Sequence, residues 1–224
     1  MELTFQDVLT LFHVSEKEVH HWIDKKRMPN TVANEQRYFN YIALLDWALD
    51  NKIALTPEML KVGEDDKHQT GIIYEGLKRG GIIYDIPGQT RDEAIENIVN
   101  LLPLPANTNK NLITSMLISR EKLTSTGVGN GIAIPHVRNP LILPIEEPFI
   151  CLCFLKDKVD FKAIDKKPVH IVFTLLTPNV KVHMAILSRL AFCLQHPRLL
   201  KCLYEKTAAE QILAEFRVLD SGKL

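Results

Sequence analysis

The sequence predicts an α/β protein preceded by a small, mostly helical unit. Two observations carry that expectation. From about residue 80 onward, short apolar runs of strand length alternate with amphipathic stretches of helical period. Residues 1 to about 55 instead show capped helical segments and a single short hairpin signal, and a polar stretch separates the two parts.

In the first part, Thr4 caps a helix through Val8, Leu9, Leu11 and Phe12, and Ser15 with Glu18 opens a second one through Val19, Trp22 and Ile23. Pro29, Asn30 and Asn34 mark a turn and hairpin between Lys25 and Arg37. Leu44, Leu45, Ala48 and Leu49 then predict a third helix with Trp47 near its apolar face. The polar run around Gly63-Glu64-Asp65-Asp66-Lys67 reads as a linker over 56–69. The tetrad Gly71-Ile72-Ile73-Tyr74 recurs at Gly81-Ile82-Ile83-Tyr84; the first copy leads into a helix through Leu77, the second reads as a strand. Helices are expected over 90–102 and 107–120, strands over 131–134, 150–155 and 170–176, and closing helices over 182–194, 197–203 and 207–215.

Composition narrows the function classes. With 46% hydrophobic and 24% charged residues, the 224-residue chain can build a substantial core. Its 27 basic and 27 acidic residues cancel, so binding to nucleic acid or an anionic membrane must come from a local patch. No apolar run approaches the roughly 18 residues of a membrane span, and Met1-Glu2-Leu3-Thr4 does not open a signal peptide, so a cytoplasmic protein without membrane insertion is expected. Cys151, Cys153, Cys193 and Cys202 are expected as reduced thiols, the first two on one face of a buried strand. No metal site is expected.

The chemistry concentrates in residues 119–136. Gly127, Gly129 and Gly131 alternate around Val128 and Asn130, a pattern that permits positive φ and could cradle an anion on backbone N–H groups. A nucleotide loop and a plain turn are competing readings of such a segment. A dinucleotide fingerprint fits poorly, because this loop follows a helix and opens a strand. The strand leads to Pro135-His136, and proline fixes the direction in which the histidine leaves it. A neutral imidazole near pH 7 is a competent nucleophile for phosphoryl transfer, provided that it is reachable. Such transfer depends on positioning and charge stabilisation, for which Arg120 is the local cation.

The segment Ser125-Thr126-Gly127-Val128-Gly129-Asn130-Gly131-Ile132-Ala133-Ile134-Pro135-His136 resembles the phosphorylation motif of enzyme IIA domains of the bacterial phosphotransferase system, in their fructose, mannitol and nitrogen-regulatory class. Phe161 to His170 and His183 to Ala191 are similar to two further blocks of that family, in the same order. The resemblance implies a domain over 70–224 with a mixed β-sheet flanked by helices on both faces. It also implies that His136 accepts a phosphoryl group from a carrier of the HPr type, that His183 supports it and that Arg120 steadies the phosphoryl group. No cofactor is implied. The chain carries no transport segment, which favours a regulatory phosphocarrier over a sugar-uptake component. A IIB domain, or a regulated kinase or transporter, would be its downstream partner.

Residues 1–55 resemble the MerR and excisionase type of winged helix-turn-helix domain, through Phe5 to Leu9, Val14 to Val19, Trp22-Ile23, Met28-Pro29, Arg37 to Phe39 and Trp47. That implies DNA contacts from Lys17, His20, His21, Lys25, Lys26 and Arg27. Residues 1–60 hold six Lys or Arg against nine Asp or Glu, so a monomer should bind weakly and a homodimer would help. A protein-docking module is the other reading of this part.

Overall fold

A computed structural model describes residues 2–33, 36–51, 53, 71–137 and 145–221. The chain divides into two compact units, Met1–His68 and Gln69–Leu224. The linker expected over 56–69 lies outside the described residues, as do Asn34 and the side chains of Leu45 and Leu49.

The first unit runs β1 (Glu2–Thr4), α1 (Phe5–Phe12), α2 (Glu16–Lys26), β2 (Thr31–Ala33), β3 (Gln36–Asn40) and α3 (Tyr41–Asp50). Thr4 and Asp7 form a reciprocal capping box on α1, and the Ser15 side chain accepts from Glu18 N–H at the start of α2. Left-handed His13, at φ 52, ends α1. The hairpin expected between Lys25 and Arg37 forms from β2 and β3, and β1 adds to β3 as an antiparallel strand that the sequence did not signal. Phe12, Trp22 and Trp47 pack with ring centroids 5.3 to 6.4 Å apart, and Trp47 Nε1 donates to the Lys26 carbonyl at 2.8 Å, so the polar edge of a buried indole is satisfied.

The second unit contains α4 (Ile72–Gly80), β4 (Ile82–Ile86), α5 (Arg91–Leu101), α6 (Lys110–Leu123), β5 (Gly127–Gly129), β6 (Ile132–Ala133), β7 (Phe149–Val159), β8 (Val169–Leu176), α7 (Val180–Cys193), α8 (Pro197–Tyr204) and α9 (Ala209–Asp220). Its five strands make one mixed sheet in the order β4-β7-β8-β6-β5. β4 is parallel to β7 and β6 to β8, whereas β7–β8 and β5–β6 are antiparallel. The run Phe149–Leu155 is apolar without alternation because both faces of β7 are covered. Ile150, Leu152 and Phe154 join Phe173, Ile73, Leu77, Ile186, Leu190 and Phe216 in a core beneath α4 and α7 to α9. Cys151, Cys153 and Leu155 point the other way, into a core with Ile95, Ile98, Ile113 and Leu117 of α5 and α6. The Cys151 and Cys153 sulfurs are 3.5 Å apart as free, buried thiols.

Element boundaries differ from the sequence expectation where caps decide them. Asn109 starts α6 later than expected, its side chain accepting from Leu112 N–H. Lys206, at φ 48, follows the end of α8, and α9 starts at Ala209 and continues to Asp220. Gly80 lets α4 cross β7 closely, since a Cβ there would lie 2.1 Å from the Ile150 carbonyl oxygen.

Asp220 ties the ends of this unit together. Its carboxylate, without solvent exposure, accepts from the Ile73 and Tyr74 amides at the start of α4 and from Arg189 Nε of α7. Asp220→Ala would leave two helix-terminal amides and a guanidinium without their acceptor, so it should destabilise this unit by about 3 kcal/mol. Both tryptophans lie in the first unit. Urea unfolding followed by circular dichroism should therefore show an early transition in Asp220→Ala, while tryptophan fluorescence unfolds as in the parent. An unchanged circular-dichroism midpoint would refute this role.

Candidate active site

His136 follows the short strand β6 and Pro135, beside the C-terminal end of β8. Leu175 N–H donates to the Pro135 carbonyl at 3.0 Å, so the chain reaching the histidine is held by strand pairing. His136 Nδ1 lies 2.8 Å from the carbonyl oxygen of Ile134. A carbonyl oxygen can only accept, so Nδ1 carries the proton and Nε2 keeps its lone pair. Ile134 is itself anchored, its N–H donating to the Thr126 carbonyl at 3.0 Å. The buried carboxylate of Glu121 accepts from both the amide and the hydroxyl of Thr126.

His183 comes from the first turn of α7, just past β8. Asn179 caps that helix, accepting from Val182 N–H on its side chain and His183 N–H on its carbonyl. The His183 ring lies 4.9 Å from the His136 ring, inclined by 49°. Its Nδ1 is 3.3 Å from Thr177 Oγ1, a fully buried hydroxyl. Arg120, on the last turns of α6, is also buried and donates from its guanidinium to the Thr124 carbonyl at 2.9 Å. Its charge acts on both imidazoles.

Burial sets the protonation of the pair. The pKa of His136 is pushed well below the ordinary 6.5, first by burial, then by His183 and then by Arg120, against a smaller upward pull from the Ile134 carbonyl. His183 is lowered to about 4, by burial and then by Arg120. Both rings are neutral at pH 7. The site thus offers a nucleophilic Nε2, a second neutral imidazole and a guanidinium, with 6% of His136 and 3% of His183 exposed. The sequence reading asked for a freely reachable imidazole; the sheet instead withdraws it almost completely.

The glycine segment is placed differently from the anion cradle anticipated for Gly127, Gly129, Asn130 and Gly131. These residues form β5 and the turn of the β5–β6 hairpin. Asn130 and Gly131 occupy the turn with φ of 53° and 74°, the signs of a type I′ turn. Gly131 is five residues from His136 along a nearly extended chain, roughly 15 Å. The Asn130 amide donates to Asp165 and the Gly127 amide to Ser125 Oγ, while the Gly131 carbonyl accepts from His170 and Ile171. The segment serves as a turn, and the amides of Asn130 and Gly127 are already engaged.

Thr177, Thr124 and the Ile134 carbonyl join the site without any sequence signal that singled them out. Among the other candidates, Lys17, His20, His21, Lys25, Lys26 and Arg27 are all exposed on or next to α2 in the first unit, with the His20 ring 5.1 Å from that of Phe5. No cluster of His, Cys, Asp and Glu suited to a metal occurs among the described residues. None of the described helices is long and apolar enough to cross a membrane.

Comparison with known proteins bears on this geometry. The family model described as "Phosphoenolpyruvate-dependent sugar phosphotransferase system, EIIA 2" matches residues 76–217, more than half of the chain. A nitrogen regulatory protein of Pseudomonas aeruginosa is 37% identical over 119 residues, covering 51% of this chain and 75% of the relative. A fructose-specific EIIA component of Haloferax volcanii is 30% identical over 135 residues, covering 58% of this chain and 86% of the relative. The crystal structure of the nitrogen regulatory protein IIA-Ntr from Neisseria meningitidis superposes with a TM-score of 0.56 at 29% identity, covering 64% of this chain and 97% of that one. The mixed sheet, its helices on both faces and the matched span agree: the chain belongs to the EIIA type 2 family of the phosphoenolpyruvate-dependent phosphotransferase system.

Proposed function

We propose that His136 accepts a phosphoryl group on Nε2 from the phosphohistidine of an HPr-type carrier, and that the chain acts as a regulatory phosphorelay protein. The observation that carries this reading is the hydrogen bond from His136 Nδ1 to the Ile134 carbonyl, which leaves Nε2 as the free nucleophile of a buried neutral ring. In the transfer step the Nε2 lone pair forms the new N–P bond while the N–P bond to the carrier breaks, its electron pair returning to the carrier's imidazole. Each ring retains its own N–H, so no separate base is needed. The transferred group brings a charge of about −1.5 to −2. The Arg120 guanidinium stabilises it, and His183 is placed beside it. The slight exposure of His136 means that the carrier must deliver the group by direct docking, with water largely excluded. The likeness to nitrogen regulatory proteins supports regulation over sugar uptake. Delivery to a IIB domain of a separate permease is the alternative.

In this proposal the first unit is a winged helix-turn-helix domain. Its α2 places Lys17, His20, His21, Lys25, Lys26 and Arg27 toward the major groove of DNA, and the β2–β3 hairpin forms the wing. The acidic excess of this unit limits affinity, so a dimer or a second DNA-bound protein supplies the rest. Phosphorylation of His136 then shifts which partner the protein engages.

Incubation with phosphoenolpyruvate, enzyme I and HPr should give an acid-labile, base-stable phosphate that is absent from His136→Ala; phosphate retained in that variant rejects the site. Arg120→Ala should slow transfer by on the order of 10²-fold, and an unchanged rate removes the guanidinium from the mechanism. A second expectation concerns pH. Because the folded pKa of both histidines lies below the unfolded value of about 6.5, the unfolded chain binds more protons below that pH. Their contribution to stability is whole above 6.5 and declines as pH falls toward about 4, by up to about 3 kcal/mol for His183. Side-chain NMR should find His183 neutral at pH 5.5; a midpoint near 6.5 contradicts the buried arrangement. For the first unit, retention of duplex DNA by the full chain should weaken in Lys25→Glu/Lys26→Glu and fall steeply with salt. Absence of retention even at low salt would leave protein docking as that unit's role.

A further inference from the structure

At the end of the sheet remote from His136, a surface cavity of about 300 Å³ opens between the β5–β6 turn, the end of β7, the start of β8 and α8. Asn130, Gly131, Lys158, Lys167, His170 and Tyr204 line it. The same end of the sheet carries the run of lysines over residues 156–167, which the phosphoryl site does not use.

Two of its walls are fitted closely. The His170 ring lies close against Gly131, where a Cβ would come within 2.5 Å of its Cε1 and Nδ1. Only glycine permits that approach, and Gly131 also has φ +74. Tyr204 closes the other side, its hydroxyl donating to the Asn130 carbonyl at 3.2 Å and its ring 6.0 Å from that of His170. His170 Nδ1 is buried with no hydrogen-bond partner among the described residues. A proton there would be a buried donor without an acceptor, so the neutral ring carries its proton on Nε2.

The charge around this cavity is positive. Lys158 has no carboxylate partner among the described residues. Lys158 and Lys206 both bear on His170, whose pKa is lowered first by burial and then by those two lysines. The acid at the rim is already engaged: Asp165 accepts from the Asn130 and Lys167 amides and lies 4.0 Å from Lys167 Nζ. Lys206 faces Asp85 at 3.9 Å. An anion would therefore meet Lys158, Lys167 and His170 with little competition. The volume is at the lower end of the range for small-molecule sites, too small for a protein segment.

We infer that this cavity binds a small phosphate-bearing anion, at a site separate from the phosphoryl acceptor. β8 joins the two places: His170 at its start lines the cavity, and Leu175 near its end pairs with the chain at His136.

The test is an NMR titration of the full-length protein, labelled with ¹⁵N, with inorganic phosphate. Sodium chloride of equal ionic strength is the control. The inference expects saturable shifts at the His170 ring, the Gly131 amide and the Tyr204 amide, and the same shifts in His136→Ala, which isolates them from phosphate at the acceptor site. Lys158→Glu, a change at an exposed position, should weaken the binding about tenfold or more. His170→Gln should weaken it too. Shifts no larger than with chloride, or equal affinity in Lys158→Glu, would overturn the inference. Neither result depends on phosphoryl transfer, so the proposed function stands or falls separately.

Discussion

The hydrogen bond from His136 Nδ1 to the carbonyl of Ile134 is the constraint on which the site depends. It decides which ring nitrogen is protonated, and hence which one would attack phosphorus in the proposed transfer. The acceptor is a backbone carbonyl, so the tautomer is set by the path of the chain rather than by a side-chain partner. That path is fixed on both sides: Ile134 N–H donates to Thr126, which Glu121 holds, and the Pro135 carbonyl accepts from Leu175 of β8. The nucleophile's protonation state thus follows from strand pairing.

Burial completes this arrangement. Two imidazoles and a guanidinium share a nearly dry site, and such a site tolerates one fixed positive charge better than three. The histidines accordingly stay neutral beside the charged Arg120. In the proposed transfer, an incoming phosphoryl group would bring its negative charge beside the Arg120 guanidinium. The same low polarity that keeps the rings neutral would, in the proposed transfer, strengthen the attraction between the guanidinium and the phosphoryl oxygens. In the proposed relay, exclusion of water would also protect the N–P bond from hydrolysis.

Much of this fold was legible in the sequence. The apolar run Phe149–Leu155 and the alternation of strand and helix patterns place the central strands and their helices, because these signals depend on local chemistry, whereas the Asn179 cap, which starts α7 at Val180 rather than at Val182, was not read. The approach of His183 to His136 was carried by resemblance alone, since spacing along a chain does not say which residues meet across a strand end. Neither the depth of burial nor the contact with Thr177 could be read, as both depend on what packs over the site. The hairpin turn at Asn130-Gly131 went unread for a different reason. Alternating glycines suggested free amides, whereas Asn130-Gly131 between two extended stretches is itself a hairpin signal, and that local chemistry prevailed.

The hairpin nonetheless matters to the chemistry. Successive residues of a strand face opposite sides of the sheet, so a one-residue slip of β5 against β6 would change which carbonyl and which side chain reach the end of β8. The tight turn at Asn130-Gly131, with the offset between Gly127 and Gly129 opposite Ala133 and Ile132, fixes that register. Asp165 secures the turn by accepting the Asn130 amide, and His170 N–H ties Gly131 to the start of β8. The glycine-rich motif therefore serves the surroundings of the site: it fixes the register of β5 against β6, the strand that leads to Ile134 and His136.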